Sequence, residues 1–199
     1  IYVVDQNNDR IQKYSADGHF IAQWGESGKG DGQFNLPWGI ALDSQGDVYV
    51  ADWRNDRIQK FSPNGRHLAS FGESGTGDGQ FSRPAGVAVD SAGYIYVADW
   101  GNERVQVLGP DGEHGVTLMG QGTLSKWAKD FLAVNPDEQS QRDISNLSPH
   151  LPLQYDTPYQ VSTQVEPNFW GPGSVNLDSE GRLYVTESSR HRLQIYQRG

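Results

Sequence analysis

The sequence predicts an all-β protein built from repeated four-stranded units. The 199 residues include 24 Gly, and 35% are hydrophobic and 11% aromatic, a mixture typical of many short strands joined by glycine turns. Runs of four to six residues rich in Val, Ile, Tyr and Phe favour strands over helices. The third observation is a repeat along the chain, and it decides the architecture.

Three segments of the chain match one another closely, and a fourth begins in mid-repeat at Ile1. One carboxylate position marks every copy and is occupied by Asp5, Asp52, Asp99 and Glu187. The first three copies are 47 residues apart, whereas 88 residues separate Asp99 from Glu187. The last interval therefore holds one period and 41 further residues.

Each unit contains four short strand patterns. In the copy from Pro37 to Gly72 they are GIALD, DVYVAD, RIQKFS and HLASFG, with glycine turns after the first and third. Four strands at roughly this period are typical of a β-propeller blade. We therefore predict a single propeller domain with blades at about 1–25, 36–72, 83–120 and 171–197, and an insertion at about 121–168.

The repeated residues resemble the NHL family. Its pattern of apolar-Asp, turn Gly, Tyr-Val-Ala-Asp, Asn-x-Arg-Ile-Gln and a glycine-rich exit recurs in register over about 1–120 and 172–196. The resemblance implies a propeller of commonly six blades, a fold used for protein binding, RNA binding and sometimes metal-dependent lyase chemistry. The fold by itself does not choose among these functions.

The strand patterns also predict an incomplete ring. The chain begins inside the second strand of one blade and stops after the third strand of another, which would leave open sheet edges. We expect flanking sequence outside this chain to close the ring. Closure by a partner chain is the alternative.

Charge and composition narrow the classes of partner. The chain has 16 Lys and Arg against 25 Asp and Glu, a formal net charge of −9, which disfavours nucleic acid and anionic lipid surfaces. The lack of Cys removes thiolate metal sites and a Cys nucleophile. No apolar run approaches the ~20 residues that cross a bilayer. We expect a soluble chain with no membrane partner, and the sequence indicates no particular compartment.

An arginine follows the repeated carboxylate after five residues in every copy. The pairs are Asp5 with Arg10, Asp52 with Arg57, Asp99 with Arg104, and Glu187 with Arg192. A catalytic acid with a cationic partner would be one interpretation. Recurrence in each blade favours a structural brace instead, because an enzyme needs one asymmetric site whereas a ring needs the same support in every blade.

No catalytic residue, metal ligand or cofactor site is predicted. His19, His67, His114, His150 and His191 lack the spacing of known local metal motifs. The segments GESGKGDGQF and GESGTGDGQF, from Gly25 and Gly72, lack the Gly-Lys-Ser/Thr ending of a phosphate loop. We expect interblade loops there, with Phe34 and Phe81 packed between blades.

The insertion begins with a helical pattern. Leu124, Trp127, Ala128, Phe131 and Leu132 fall on one face of a helix that Thr123 could cap and that Asn135-Pro136 would end. A second short helix is expected from Pro136. The apolar face is expected to pack on the propeller, and the alternative is that it binds a partner.

The leading functional hypothesis is a non-enzymatic binding module for a protein or another macromolecule. The alternatives are a metal-dependent propeller hydrolase or lyase of the lactonase or amidating-lyase type, and an RNA-binding domain. Enzyme activity is thus left open but not favoured. A protein partner fits the strict repetition, the absence of catalytic motifs and the added loop structure.

The binding surface is expected on one face of the propeller. In the resembled family, the loops between second and third strands share a face with the loops between blades, one of which carries the insertion. Trp53, Arg54 and Trp100 lie in such loops, and Gln6 and Ser188 replace the Trp in the other copies. Since Trp and Arg concentrate binding energy at interfaces, these three residues are the predicted site. Packing between blades is the alternative role for them.

Overall fold

The computed structural model describes residues 1–122, 124 and 126–197, without the side chains of Lys126 and Trp127. Four antiparallel sheets follow one another along the chain, and each is a propeller blade. Blades 1 and 4 have three strands each, and blades 2 and 3 have four. The all-β propeller prediction is confirmed, and the two outer blades contain the strands expected from the sequence.

The strands occur in chain order within each blade. Blade 1 contains β1 (Tyr2–Asp5), β2 (Arg10–Tyr14) and β3 (Phe20–Trp24); blade 2 contains β4 (Pro37–Leu42), β5 (Val48–Asp52), β6 (Arg57–Phe61) and β7 (His67–Phe71). A short parallel pair, β8 (Glu73–Ser74) and β9 (Gln80–Phe81), lies in the loop before blade 3. Blade 3 contains β10 (Pro84–Val89), β11 (Ile95–Asp99), β12 (Arg104–Leu108) and β13 (His114–Leu118); blade 4 contains β14 (Pro172–Leu177), β15 (Leu183–Glu187) and β16 (Arg192–Tyr196).

The second strands of blades 2 and 3 are buried because a blade covers each of their faces. In β5, Val48 and Val50 pack toward blade 1, whereas Tyr49 and Ala51 pack toward blade 3. All five residues of β5 are buried, so it has no solvent-facing side. Alternate side chains of one strand thus contribute to two separate interblade cores.

A phenylalanine from each interblade loop fills the space between neighbouring blades. Phe34, Phe81 and Phe169 are fully buried at the three successive interfaces. Gly72, at the exit of blade 2, has φ +84°, and an added Cβ would stand 2.3 Å from the Phe81 ring. Glycine is required there because of both the backbone conformation and the close approach. The prediction for Phe34 and Phe81 is confirmed.

The insertion between blades 3 and 4 contains three helices. These are α1 (Lys126–Val134), α2 (Pro136–Ile144) and α3 (Pro158–Gln164). The first two confirm the sequence prediction, and Asp137 and Glu138 lie in the first turn of α2. The predicted cap, Thr123, lies outside the described residues. Helix α3 was not predicted; Thr157 and Gln160 form a capping box at its start.

The apolar face of α1 turns partly toward blade 4. Leu124 and Ala128 line a cavity together with Leu193 and Ile195 of β16. Leu132 is 9% exposed, whereas Phe131 is 44% exposed. The apolar face therefore lies partly against blade 4, and Phe131 and Leu132 line a second cavity with Gln141 and Arg142 of α2.

None of the helices in the described part of the chain has the length and apolar character needed to cross a bilayer.

Candidate functional site

The loops between second and third strands lie on what we call the upper face, together with the loops that join successive blades. In blades 1 to 3 each such loop is one 3-10 turn, formed by Gln6–Asn8, Trp53–Asn55 and Trp100–Asn102. Left-handed residues follow these turns, with φ values of 49°, 53° and 54° at Asp9, Asp56 and Glu103. Helix α3 contacts the turn that contains Trp100, so the insertion stands on this face.

The repeated carboxylate organises each loop. The side chain of Asp52 is fully buried and accepts hydrogen bonds from the Asn35 N–H at 2.8 Å, Asn55 at 2.9 Å, Arg57 Nε at 2.9 Å and Gln59 at 3.0 Å. Burial raises the pKa of Asp52, and these donors, the Asn35 N–H first, oppose the rise by favouring the carboxylate. Asp99 has the same set of donors in blade 3, and burial raises its pKa as well.

The partner arginine joins its blade to the loop that precedes the blade. Arg57 donates through Nη2 to the carbonyls of Gly30 at 2.7 Å and Gln33 at 3.0 Å. Arg104 repeats these contacts, and Arg192 donates to the carbonyls of Pro167 and Asn168 at the end of the insertion. The other two pairs, Asp5 with Arg10 and Glu187 with Arg192, are also hydrogen-bonded. All four arginines therefore bond the repeated carboxylate of their own blade, and those of blades 2 to 4 also bond carbonyls of the preceding loop.

Three indoles form a row across blades 2 and 3 on the upper face. The ring centroid of Trp53 is 5.7 Å from that of Trp38 and 6.3 Å from that of Trp100. Trp38, the first residue after Pro37 in β4, is 52% exposed, and Trp53 and Trp100 are partly exposed. The structure thus brings together the two predicted tryptophans and adds a third.

Two guanidinium groups lie over the middle indole. The Cζ of Arg54 is 5.7 Å from the centroid of Trp53, and that of Arg83 is 5.3 Å from it. Both arginines are exposed, and within the described residues neither has a carboxylate at ion-pair distance. We call Trp38, Trp53, Trp100, Arg54 and Arg83 the indole surface.

Sequence reasoning missed Trp38 and Arg83, although the repeat contained a signal for both. The positions equivalent to Trp38 hold Ala85 and Gly173, and those equivalent to Arg83 hold Leu36 and Gly171. A large or charged residue at a position where other blades carry small or apolar residues indicates a role outside the common scaffold.

Asp9, Asp56 and Glu103 occupy equivalent left-handed positions after the three turns, and Glu103 is the least exposed of them. It is 2% exposed and accepts a hydrogen bond from the N–H of Gly171 in the next blade. Burial raises the pKa of Glu103 to about 7, and the negative charge of Glu187 adds to the rise. Glu103 also lines a cavity of about 320 Å³ between the blade 3 turn and α3, together with Val161 and Met119.

Arg190 holds the insertion against blade 4. Its Nη2 donates to the carbonyls of Ser162 and Val165 at the end of α3. The same guanidinium lies 5.6 Å from the centroid of Trp170, whose ring meets that of Tyr159 edge to face. Asn8, Asn55 and Asn102 occupy the equivalent position in the other blades, so Arg190 replaces the shorter amide where the loop has become an insertion.

The described residues contain no group of three or more His, Asp or Glu side chains arranged to hold a metal ion.

These features define a β-propeller with an aromatic and cationic surface on its upper face. Three of its blades carry NHL repeats: the family model of the NHL repeat matches residues 34–61, 81–108 and 169–196. Each match runs from the buried phenylalanine of an interblade loop to the end of the third strand. Among curated proteins, none matches the chain.

Solved structures support the same fold. A streptogramin B lyase structure is 14% identical with a TM-score of 0.55, and the match covers 98% of this chain and 50% of that one. Virginiamycin B lyase from Staphylococcus aureus is 13% identical with a TM-score of 0.53, covering 99% and 51%. Hydrazine synthase from Kuenenia stuttgartiensis is 10% identical with a TM-score of 0.52, covering 98% and 46%. The chain spans about half the length of these structures, and identities this low show the fold alone.

Proposed function

We propose that this NHL-repeat propeller is a protein-binding module and that the indole surface contacts the partner. The single observation that carries the proposal is the row of three indoles with two arginines over the middle one. Trp and Arg are the residue types that dominate the energy of protein interfaces. A half-exposed Trp38 beside two further indoles also forms a larger apolar patch than scattered surface residues would.

Packing between blades explains this surface less well. The equivalent positions in blades 1 and 4 hold Gln6 and Ser188, so an indole is not needed to build the turn. The interblade cores are instead filled by Phe34, Phe81 and Phe169, which are fully buried. The tryptophans stand above these cores and keep part of their surface in solvent.

The test is a selection of binding peptides from a random displayed library on the immobilised chain. We expect binders whose affinity falls by about thirtyfold or more in Trp53→Ala and Trp100→Ala, as for residues at the centre of an interface. Phe20→Ala is the matched control, since Phe20 is 56% exposed at the start of β3, away from the upper face. Binders that ignore both Trp substitutions, or no binders at all, would contradict the proposal.

A further inference from the structure

We infer that the indole surface recognises a short acidic peptide segment whose carboxylates flank one large apolar side chain. This inference rests on the proposed function and specifies the chemistry of the partner. It follows from how the arginines are held, from the charge around them and from the shape of the row of indoles.

The arginines present unused hydrogen-bond donors. Each guanidinium has five N–H donors in a planar fork that matches a carboxylate. Arg54 and Arg83 both lie over the ring of Trp53. Arg54 belongs to the same turn as Trp53, and Arg83 belongs to the loop before blade 3. No hydrogen bond of either guanidinium to another side chain is found among the residues that the structure describes. Stacking on the indole fixes the position of each guanidinium but leaves its N–H groups for a ligand.

The arginines used for bracing differ in this respect. Arg57 and Arg104 donate hydrogen bonds to Asp52 and Asp99, respectively, and to loop carbonyls. Asp56, two residues after Arg54, accepts from the Arg83 backbone N–H at 2.7 Å and from the Ser74 hydroxyl at 2.8 Å. Each of its carboxylate oxygens therefore already accepts one hydrogen bond, and neither of the two exposed guanidiniums is ion-paired with it.

Charge complementarity selects a short acidic segment. Lys29 lies beside Arg54 in a shallow depression that Arg57 and Asp56 also line, so cations outnumber carboxylates on this part of a chain whose net charge is −9. A local positive patch attracts a few carboxylates, whereas the overall negative field opposes a long polyanion such as nucleic acid. The row of indoles supplies the apolar contact that a phosphate backbone would not need and that an aromatic or aliphatic side chain would fill.

The insertion limits the surface at one end. Helix α3 contacts the turn of Trp100, whereas Lys29 and Arg54 line a depression beside the turn of Trp53. A peptide would therefore place its apolar side chain against the row of indoles and its carboxylates at Arg54 and Arg83.

The test uses three probes, measured by fluorescence anisotropy at low and physiological salt. They are a short peptide with one Trp flanked by Glu and Asp, the same peptide with Gln and Asn in their place, and a single-stranded oligonucleotide. We expect the acidic peptide to bind at least about tenfold more tightly than the neutral one, with an advantage that shrinks as salt rises. The oligonucleotide should bind most weakly.

The variants Arg54→Gln and Arg83→Gln should each weaken binding of the acidic peptide far more than binding of the neutral peptide, and so remove most of that preference. Arg66→Gln is the matched control, since Arg66 is exposed in the turn between β6 and β7 and its substitution changes the net charge equally. Equal binding of acidic and neutral peptides, still lost in Trp53→Ala, would overturn this inference and leave the proposed function standing. Preference for the oligonucleotide would overturn the inference in favour of nucleic acid, and indifference of every binder to Trp53→Ala would overturn the proposed function itself.

Discussion

The indole of Trp53 lies 6.3 Å from that of Trp100, although the two residues are one full repeat apart in the sequence. Adjacent blades place equivalent residues side by side, so a repeated tryptophan becomes a continuous surface. Trp38 extends the row from the first strand of blade 2.

Substitution of Trp53 by Ala is expected to impair binding far more than folding. The residue is partly exposed and stands above the interblade cores, so the melting temperature should fall by no more than a few degrees, corresponding to about 1 kcal/mol. Circular dichroism melts of the variant and of Phe20→Ala provide the comparison. A collapse of the melting transition in Trp53→Ala alone would assign the indole to packing between blades.

Substitution of Arg57 by Ala is expected to lower the free energy of unfolding by about 3 kcal/mol, because it leaves the buried Asp52 without its cationic partner. It also removes the hydrogen bonds to the carbonyls of Gly30 and Gln33. For a chain of this size the melting temperature should drop by roughly 6 to 12 °C. Lys29→Ala, at an exposed site in the same loop, should change it little. Equal melting of the two variants would contradict the structural brace.

Glu103 is expected to make stability depend on pH. Burial raises the pKa of its carboxyl from an ordinary value of 4.5 to about 7, so the folded state holds the proton more tightly than the unfolded state. The protein should therefore lose stability as the pH rises from about 5 to 7, by on the order of 2 kcal/mol. Glu103→Gln should remove this loss, and its stability relative to the natural chain should increase with pH.

Urea titrations at pH 5 and pH 8 measure the effect. Glu103→Ala separates ionisation from hydrogen bonding, because it also deprives the Gly171 N–H of its acceptor and should destabilise the chain at both pH values. If Glu103→Gln and the natural chain differ by the same amount at pH 5 and pH 8, the account of Glu103 is wrong.

Arg190→Ala is expected to release the insertion without unfolding the blades. It removes the two hydrogen bonds to the end of α3 and the contact with Trp170. Limited proteolysis within residues 121–168 should become about tenfold faster, because the loss of charged hydrogen bonds makes local opening of the insertion more frequent. Arg182→Ala, which removes an exposed ion pair with Asp178 in the same blade, is the control. Similar cleavage of both variants would show that Arg190 does not hold the insertion.

The sequence was sufficient to predict the blades because the fold repeats itself. Asp52 and Arg57 recur in register, and their pairing across β5 and β6 follows from the short turn between those strands. Two of the three interblade phenylalanines could likewise be predicted, since Phe34 and Phe81 follow glycine-rich segments that differ at one position. Repetition made each inference testable against another copy.

The parts that were missed are the parts that do not repeat. Helix α3 has only seven residues and a mixed polar sequence, so its hydrophobic periodicity was too weak; Thr157, Pro158 and Gln160 carried the remaining signal. Arg83 stands out from Leu36 and Gly171 at the equivalent positions, but its distance from the indole of Trp53 in the neighbouring blade is not encoded in any local pattern. Long-range contacts of this kind require the folded arrangement.

The most direct test of the central claim follows the indole N–H signals of the tryptophans by NMR during titration with a selected peptide. Assignment by single Trp→Phe variants distinguishes Trp38, Trp53 and Trp100 from Trp24, whose indole nitrogen is buried. The account predicts saturable shifts of the three signals of the indole surface, with the signal of Trp24 unchanged. Saturable binding of the peptide without any shift of the Trp53 and Trp100 signals would contradict it.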